Sequence, residues 1–169
     1  MTLLLKQLFG FLKLLNSETG HNQIAAGIAA GFVLGMSPML SLQVFLVFLI
    51  IFFFRVQMGA AFLAAFFFAF LHWCLDPIFH SLGASVLESE SLNGLFTTLY
   101  NMPLVPLTRF NNSIVMGAGI FTLLASPIVF FCSRLLILKY REKVVERFKQ
   151  TKLWKSRKSH SPLQLVLHL

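Results

Sequence analysis

Asp76 is the only acidic residue between Glu18 and Glu88, and it closes a long apolar run. A carboxylate at membrane depth is costly and commonly lies on a proton or ion path. The plainer reading is that Asp76 turns or caps the backbone ahead of Pro77 at the interface. His72, Asp76 and His80 fall at i, i+4 and i+8, which on one helix is the spacing of a ligand face. Pro77 argues against a continuous helix through them, so no metal site is expected. Arg55 follows another apolar run; it reads as a snorkelling, topogenic charge, or more sharply as a partner of Asp76 or a binder of an anionic substrate. Asn22, Asn111 and Asn112 precede apolar stretches and most simply cap helices, and such N-termini at membrane depth can hold an anion. The sequence has no G-x-S-x-G, no P-loop, no His/Cys zinc pattern and no carboxylate pair. Neither an enzyme nor a cofactor is expected.

These residues sit in a chain of unusual composition. Of 169 residues 57% are hydrophobic and only 12% charged, where a typical soluble domain carries about a quarter charged residues. No charge falls between Glu18 and Arg55, between Arg55 and Asp76, or between Arg109 and Arg134. Uncharged runs of this length read as membrane segments, and twenty Phe residues suit lipid-facing packing. The class expected is an all-α, small polytopic membrane protein. The net charge of +8 gathers at the C-terminal end, from Lys139 and Arg141 to Arg157 and Lys158. Following an apolar span, that cluster fits the positive-inside rule better than nucleic-acid binding. Cys74 and Cys132 lie in apolar surroundings with no spacing for a metal ribbon or a disulfide framework.

In chain order, residues 1–18 read as an amphipathic helix in the headgroup plane, with Lys6 and Lys13 on one narrow stripe. The sequence lacks a cationic cluster before the apolar run and an Ala-x-Ala-like site after it, so it is not read as a cleaved signal. Residues 19–138 form the membrane domain. As one straight helix 22–54 would extend about 50 Å, against a hydrocarbon core of about 30 Å. A break at Ser37-Pro38 leaves halves of 22–36 and 40–54, each shorter than the roughly 20 residues needed to cross. A re-entrant hairpin or two short tilted helices is expected. Residues 57–75 make an ordinary span ended by Asp76-Pro77; 78–87 read as a short helix and 92–108 as loop or interface. A last apolar stretch, 112–138, carries Ser126-Pro127 at its middle, and 139–169 is a basic cytoplasmic tail suited to anionic lipid headgroups.

Gly27, Gly31 and Gly35 recur every fourth residue, a flat strip that lets another backbone approach, and Gly117 is read as a further helix-packing position. Asn22-x-Ile24-x-x-Gly27 is echoed by Asn112-x-Ile114-x-x-Gly117, and Ser37-Pro38 by Ser126-Pro127. Paired interrupted segments of this kind suggest an internal repeat with a site at two breaks, Pro38 and Pro127. Either 112–138 crosses once as a kinked helix, or part of 78–108 crosses as well.

Ile24-Ala25-x-Gly27-x-Ala29-x-Gly31-x3-Gly35-x2-Pro38, then Phe54-Arg55-Val56, then Asp76-Pro77-x4-Leu82-Gly83, resembles the bacterial membrane family known as domain of unknown function 2062. Phe110-Asn111-Asn112-Ser113-x-Val115-x-Gly117 and Tyr140-Arg141 resemble one subgroup of it. The likeness covers about residues 20–158 and departs at Ser41-Leu42-Gln43, where Gly-Asn-like residues are common, and at Gln57, where Asn is usual. It implies a bacterial membrane protein and no particular substrate. The reading is a multi-pass protein of the bacterial inner membrane with a cytoplasmic C-terminus. Its partners would be the lipid bilayer and a second copy of the chain as homo-oligomer. Its function would be that of a small transporter or channel, with a non-transporting scaffold or envelope organiser as the alternative.

Overall fold

The computed structural model describes Gly10 and residues 19–150, with side chains as far as Val144. The amphipathic helix expected over 1–18, Gly10 apart, and the tail beyond 150 lie outside the described residues. Regular structure among the described residues is entirely helical: α1 His21–Met36, α2 Leu42–Phe53, α3 Met58–Leu87, α4 Glu90–Tyr100, a 3-10 turn Val105–Thr108, and α5 Ser113–Gln150.

Glycines set the packing. A Cβ at Gly27 would meet the Gln57 carbonyl and Ala60, one at Gly31 the Ala61 carbonyl and Ala64, and one at Gly35 the Ala65 carbonyl and Phe68. Four residues along α1 match four along α3, so the two helices run parallel with their backbones in near contact. Small residues allow this close van der Waals approach, the kind of packing by which helices associate in lipid. On the far half of α3, Gly83 meets the Ser113 carbonyl and Gly117 meets the Phe79 carbonyl. There the register runs in opposite senses, so α5 is antiparallel to α3. The glycine strips are thus consumed inside the molecule. Ile24, Ala25 and Ala60 pack with Ile137 near one end of the bundle, and Phe32, Met36 and Phe79 with Ala118 further along. Helix α2 stands outside, resting mainly on α1 and exposing Phe45, Leu46, Phe48, Phe52 and Phe53.

The three apolar-segment prolines behave differently. At Ser37 the last N–H of α1 bonds Val33 O, and the residue is extended (φ −104°, ψ 142°). An extended residue before proline is the ordinary steric outcome, and Pro38 has no N–H with which to continue. The chain reverses and α2 begins at Leu42. Pro77, by contrast, lies inside α3. Asp76-Pro77 therefore does not end the span, and 78–87 is the same helix continued rather than a separate one. Pro127 lies inside α5. The second break expected at Ser126-Pro127 does not occur. Proline 127 leaves the Leu123 carbonyl without its helical donor, and Ser126 Oγ donates to that oxygen at 3.4 Å, which helps the helix to run on. Residues 112–138 are one continuous helix that passes residue 139 without interruption. Likewise 92–100, part of the segment 92–108 expected as loop or interface, belongs to helix α4.

Two helices, Met58–Leu87 and Ser113–Val144, are long and apolar enough to cross a membrane, and few of their residues are buried within the chain. The molecule is polar in charge. Arg55, Arg134, Lys139, Arg141 and Lys143 lie at the end where α1 starts; Glu88 and Glu90 lie at the other.

Replacing Gly31 by Ala drives a Cβ into the Ala61 carbonyl and should destabilise by about 1–3 kcal/mol. Gly94, on exposed α4, has nothing within 4 Å of its would-be Cβ, so Gly94→Ala should be neutral or stabilising by up to about 1 kcal/mol. Thermal unfolding in detergent compares the two; equal effects would contradict the close α1–α3 approach.

Candidate functional site at the hairpin turn

The turn between α1 and α2 is built inside out. Met39 and Leu40 at its tip are 87% and 67% exposed, whereas Ser37 and Ser41 on either side are buried. A turn facing water would normally expose its serines and hide its apolar residues. Gln43, in the first turn of α2, reaches across to donate from Nε2 to Val115 O of α5 at 2.8 Å. It reaches there because Gly119 has no Cβ: one at that position would collide with the Gln43 amide. The pair fixes the hairpin's turn against the early part of α5.

The opposite wall comes from α3. Met36 shares a cluster with Phe79 and Leu75, and the His72 ring lies 5.7 Å from that of Phe79. His72 Nε2 stands 3.3 Å from Asp76 Oδ1, an ion pair when the imidazole is protonated. The approach is close but not aligned as a hydrogen bond. Asp76 Oδ1, His72 Nδ1, Ser37 Oγ, Ser41 Oγ and Gln43 Oε1 are all buried without a hydrogen-bond partner among the described residues. Leaving one polar group buried and unpaired costs about 1–3 kcal/mol; Asp76 keeps its ionic contact with His72 and is partly exposed, so Ser37, Ser41 and Gln43 at the turn mark where the fold gives up stability.

The expected site residues separate into groups. His80 is turned from Asp76 and shares a 2.6 Å hydrogen bond with Ser113 Oγ, so the i, i+4, i+8 trio is divided, although the helix through Pro77 is continuous. Among the described residues no three His, Cys, Asp or Glu side chains are grouped as metal ligands. Arg55 is exposed between α2 and α3. Asp76 is eighteen residues along α3 from Met58, about 27 Å of helix, so the two do not pair. Asn112 caps α5, its Oδ1 accepting from the N–H groups of Ile114 and Val115 at 2.9 and 3.2 Å. Asn22 does not cap α1, whose N-cap is Gly20. Its Oδ1 instead accepts from Arg134 Nε at 2.8 Å, while Arg141 Nη2 donates to Thr19 O. The echoed motifs therefore lie at opposite ends of the bundle with different roles, and Pro38 and Pro127 have different effects. Gln57, which departs from the resembled pattern, still caps α3: its Oε1 accepts from Ala60 N at 2.9 Å. Sequence reasoning missed Gln43 and Arg134. Each is the one strongly polar residue in its apolar stretch, and that isolation was the available signal.

A second feature adjoins the turn. A cleft of about 480 Å³ opens between α2 and α5, with Val33 of α1 at its back and Thr108 and Phe110 at one end.

A family model matches residues 8–146, most of the chain. The chain belongs to the DUF2062 family, described as uncharacterized protein conserved in bacteria. A protein of Treponema pallidum (strain Nichols), described as uncharacterized, is 28% identical over 138 residues, which cover 82% of this chain and 85% of the relative. No solved structure matches. The DUF2062 match spans α1 to α4, the hairpin turn, the His72–Asp76 pair and α5 as far as residue 146.

Removing the Gln43 amide by Gln43→Ala should destabilise by about 1 kcal/mol. Gly119→Ala should displace the same amide. Because both act on one contact, the double variant should lose less than the two single losses combined. Additive losses in a double-mutant unfolding cycle would show that Gly119 does not serve Gln43.

Proposed function

We propose that this DUF2062 protein is a small multi-pass protein of the bacterial inner membrane that passes a proton or a small cation. In this reading α3 and α5 cross the bilayer and the α1–α2 hairpin enters it without crossing. Sixteen residues of α1 and twelve of α2 amount to about 24 and 18 Å, short of a hydrocarbon core of about 30 Å. The apolar tip at Met39 and Leu40 supports burial in lipid. Both hairpin ends then share the basic side, which the positive-inside rule makes cytoplasmic. Basic residues of the tail would rest on anionic headgroups.

The observation that carries the transport reading is the set of buried, unpartnered polar atoms around the hairpin turn and His72–Asp76. Four of the five are oxygens, and one belongs to the only carboxylate in the apolar half of α3. Such a set suits a cation or a proton rather than an anion, and the pair could relay a proton between imidazole and carboxylate. No covalent chemistry is assigned. The scaffold alternative loses the surface it would most naturally use, because the glycine strips are occupied by the protein's own helices.

Purified protein in liposomes, with a pH-sensitive dye inside and sodium or potassium gradients across the membrane, tests this directly. Wild type should raise proton or cation flux above that of empty vesicles. Asp76→Asn should cut it by at least about tenfold, as for a group acting in the transfer path, and Gly94→Ala should not change it. Vesicles no leakier than empty ones under every gradient would end the transport reading.

A further inference from the structure

We propose that the cleft between α2 and α5 holds one acyl chain of an anionic phospholipid, with the headgroup at Arg109. The inference rests on the bilayer reading above but not on transport. The cleft walls are almost wholly apolar: Leu46 and Ile50 of α2 face Val115, Ile120 and Leu123 of α5. Its long direction follows the two helices from Leu42 to Ile50, about 12 Å of helix, with a volume in the range of ligand pockets. An apolar trough takes a chain, not a compact polar solute, because a polar group there would be desolvated without a partner.

The mouth selects the head. Thr108 and Phe110 line the end of the cleft nearest the acidic side of the molecule, and Arg109, which does not itself line the cleft, stands between them in the chain. Arg109 is the only Lys or Arg between Arg55 and Arg134, hence the only one that this end offers among the described residues. It is exposed and held at φ 57° in a loop closed by hydrogen bonds from Arg109 N to Pro106 O and from Asn112 N to Arg109 O. A non-glycine residue in the left-handed region is unfavourable and is kept where the surroundings fix it. Leu104 and Leu107, beside it, are 76% and 74% exposed. Exposed leucines flanking an arginine suit a loop resting at the headgroup level, apolar side chains inward and guanidinium against phosphate. An amphiphile with a negative head and an apolar tail matches the order of cation, then trough.

The test uses full-length protein in detergent and native mass spectrometry, with phosphatidylglycerol or phosphatidylcholine of identical chains added. One phosphatidylglycerol per chain should be retained, in preference to phosphatidylcholine by about fivefold, the order expected for one cation near an anionic headgroup. Arg109→Gln should bring phosphatidylglycerol down to the phosphatidylcholine level. Ile120→Trp, which fills the trough, should remove both; if that variant fails to fold, Arg109→Gln decides alone. Unchanged phosphatidylglycerol retention in Arg109→Gln would overturn the proposal, as would a lipid-free dimer that Ile120→Trp dissociates, since a second copy would then fill the cleft. Alkaline washing of membranes separates the two readings: a chain that stays in the pellet yet retains no lipid defeats this inference and leaves the bilayer reading intact.

Discussion

Where Gly31 of α1 lies against the Ala61 carbonyl of α3, no side chain separates the two backbones. That contact, repeated at Gly27 and Gly35, fixes α1 parallel to α3 and in register with its first half. Everything outward follows from it. With α1 held so close, the chain must reverse at Ser37-Pro38 and return as α2 before α3 can begin, and the Gln57 N–H bonds Gln23 O where the two helices start together. The remaining apolar helix, α5, then fills the groove from the opposite direction, using Gly117 and Gly83 for the same kind of approach.

The architecture places its polar groups at a cost. Small residues allow tight packing along most of the bundle, but the hairpin turn interrupts a hydrogen-bonded helix within an apolar region. Backbone and side-chain polar groups there must find partners locally, and only some do. Gln43 finds Val115, and Ser126 relieves the carbonyl left by Pro127. Ser37, Ser41, His72 and Asp76 do not find hydrogen-bond partners among the described residues. Because each orphan weakens the fold, the group at the turn and the pair on α3 are more informative together than any single one, and they are the reason transport is preferred to scaffolding.

Much of the architecture was legible in the residues. Uncharged runs and helix-length arithmetic gave an all-helical chain with a reversal at Pro38, since 22–54 is too long for one span and each half too short. The four-residue glycine spacing marked the packing face, although its partner, the alanine-rich start of α3, could be known only from the fold. Proline misled where it was judged by type alone. At Pro38 the helix ends, with Ser37 extended before it, whereas Pro77 and Pro127 sit within continuous helices. Asn22 and Asn112 share a motif but not a role, because the cap of α1 falls at Gly20 and leaves Asn22 for Arg134. Contacts across 72 and 112 residues of sequence, Gln43 to Val115 and Asn22 to Arg134, leave no local pattern.

The central claim is that α1 and α2 form a hairpin entered and left from one side, while α3 and α5 pass through. Cysteine accessibility in membranes tests it, on a background carrying Cys74→Ser and Cys132→Ser. Gly20→Cys, Met39→Cys and Asn111→Cys place single thiols before the hairpin, at its tip and ahead of α5. Gly20→Cys should react only with a membrane-impermeant reagent on the side of the basic C-terminal residues, Asn111→Cys only on the opposite side, and Met39→Cys on neither. Labelling of positions 20 and 111 from the same side, or of position 39 from the side opposite position 20, would contradict it.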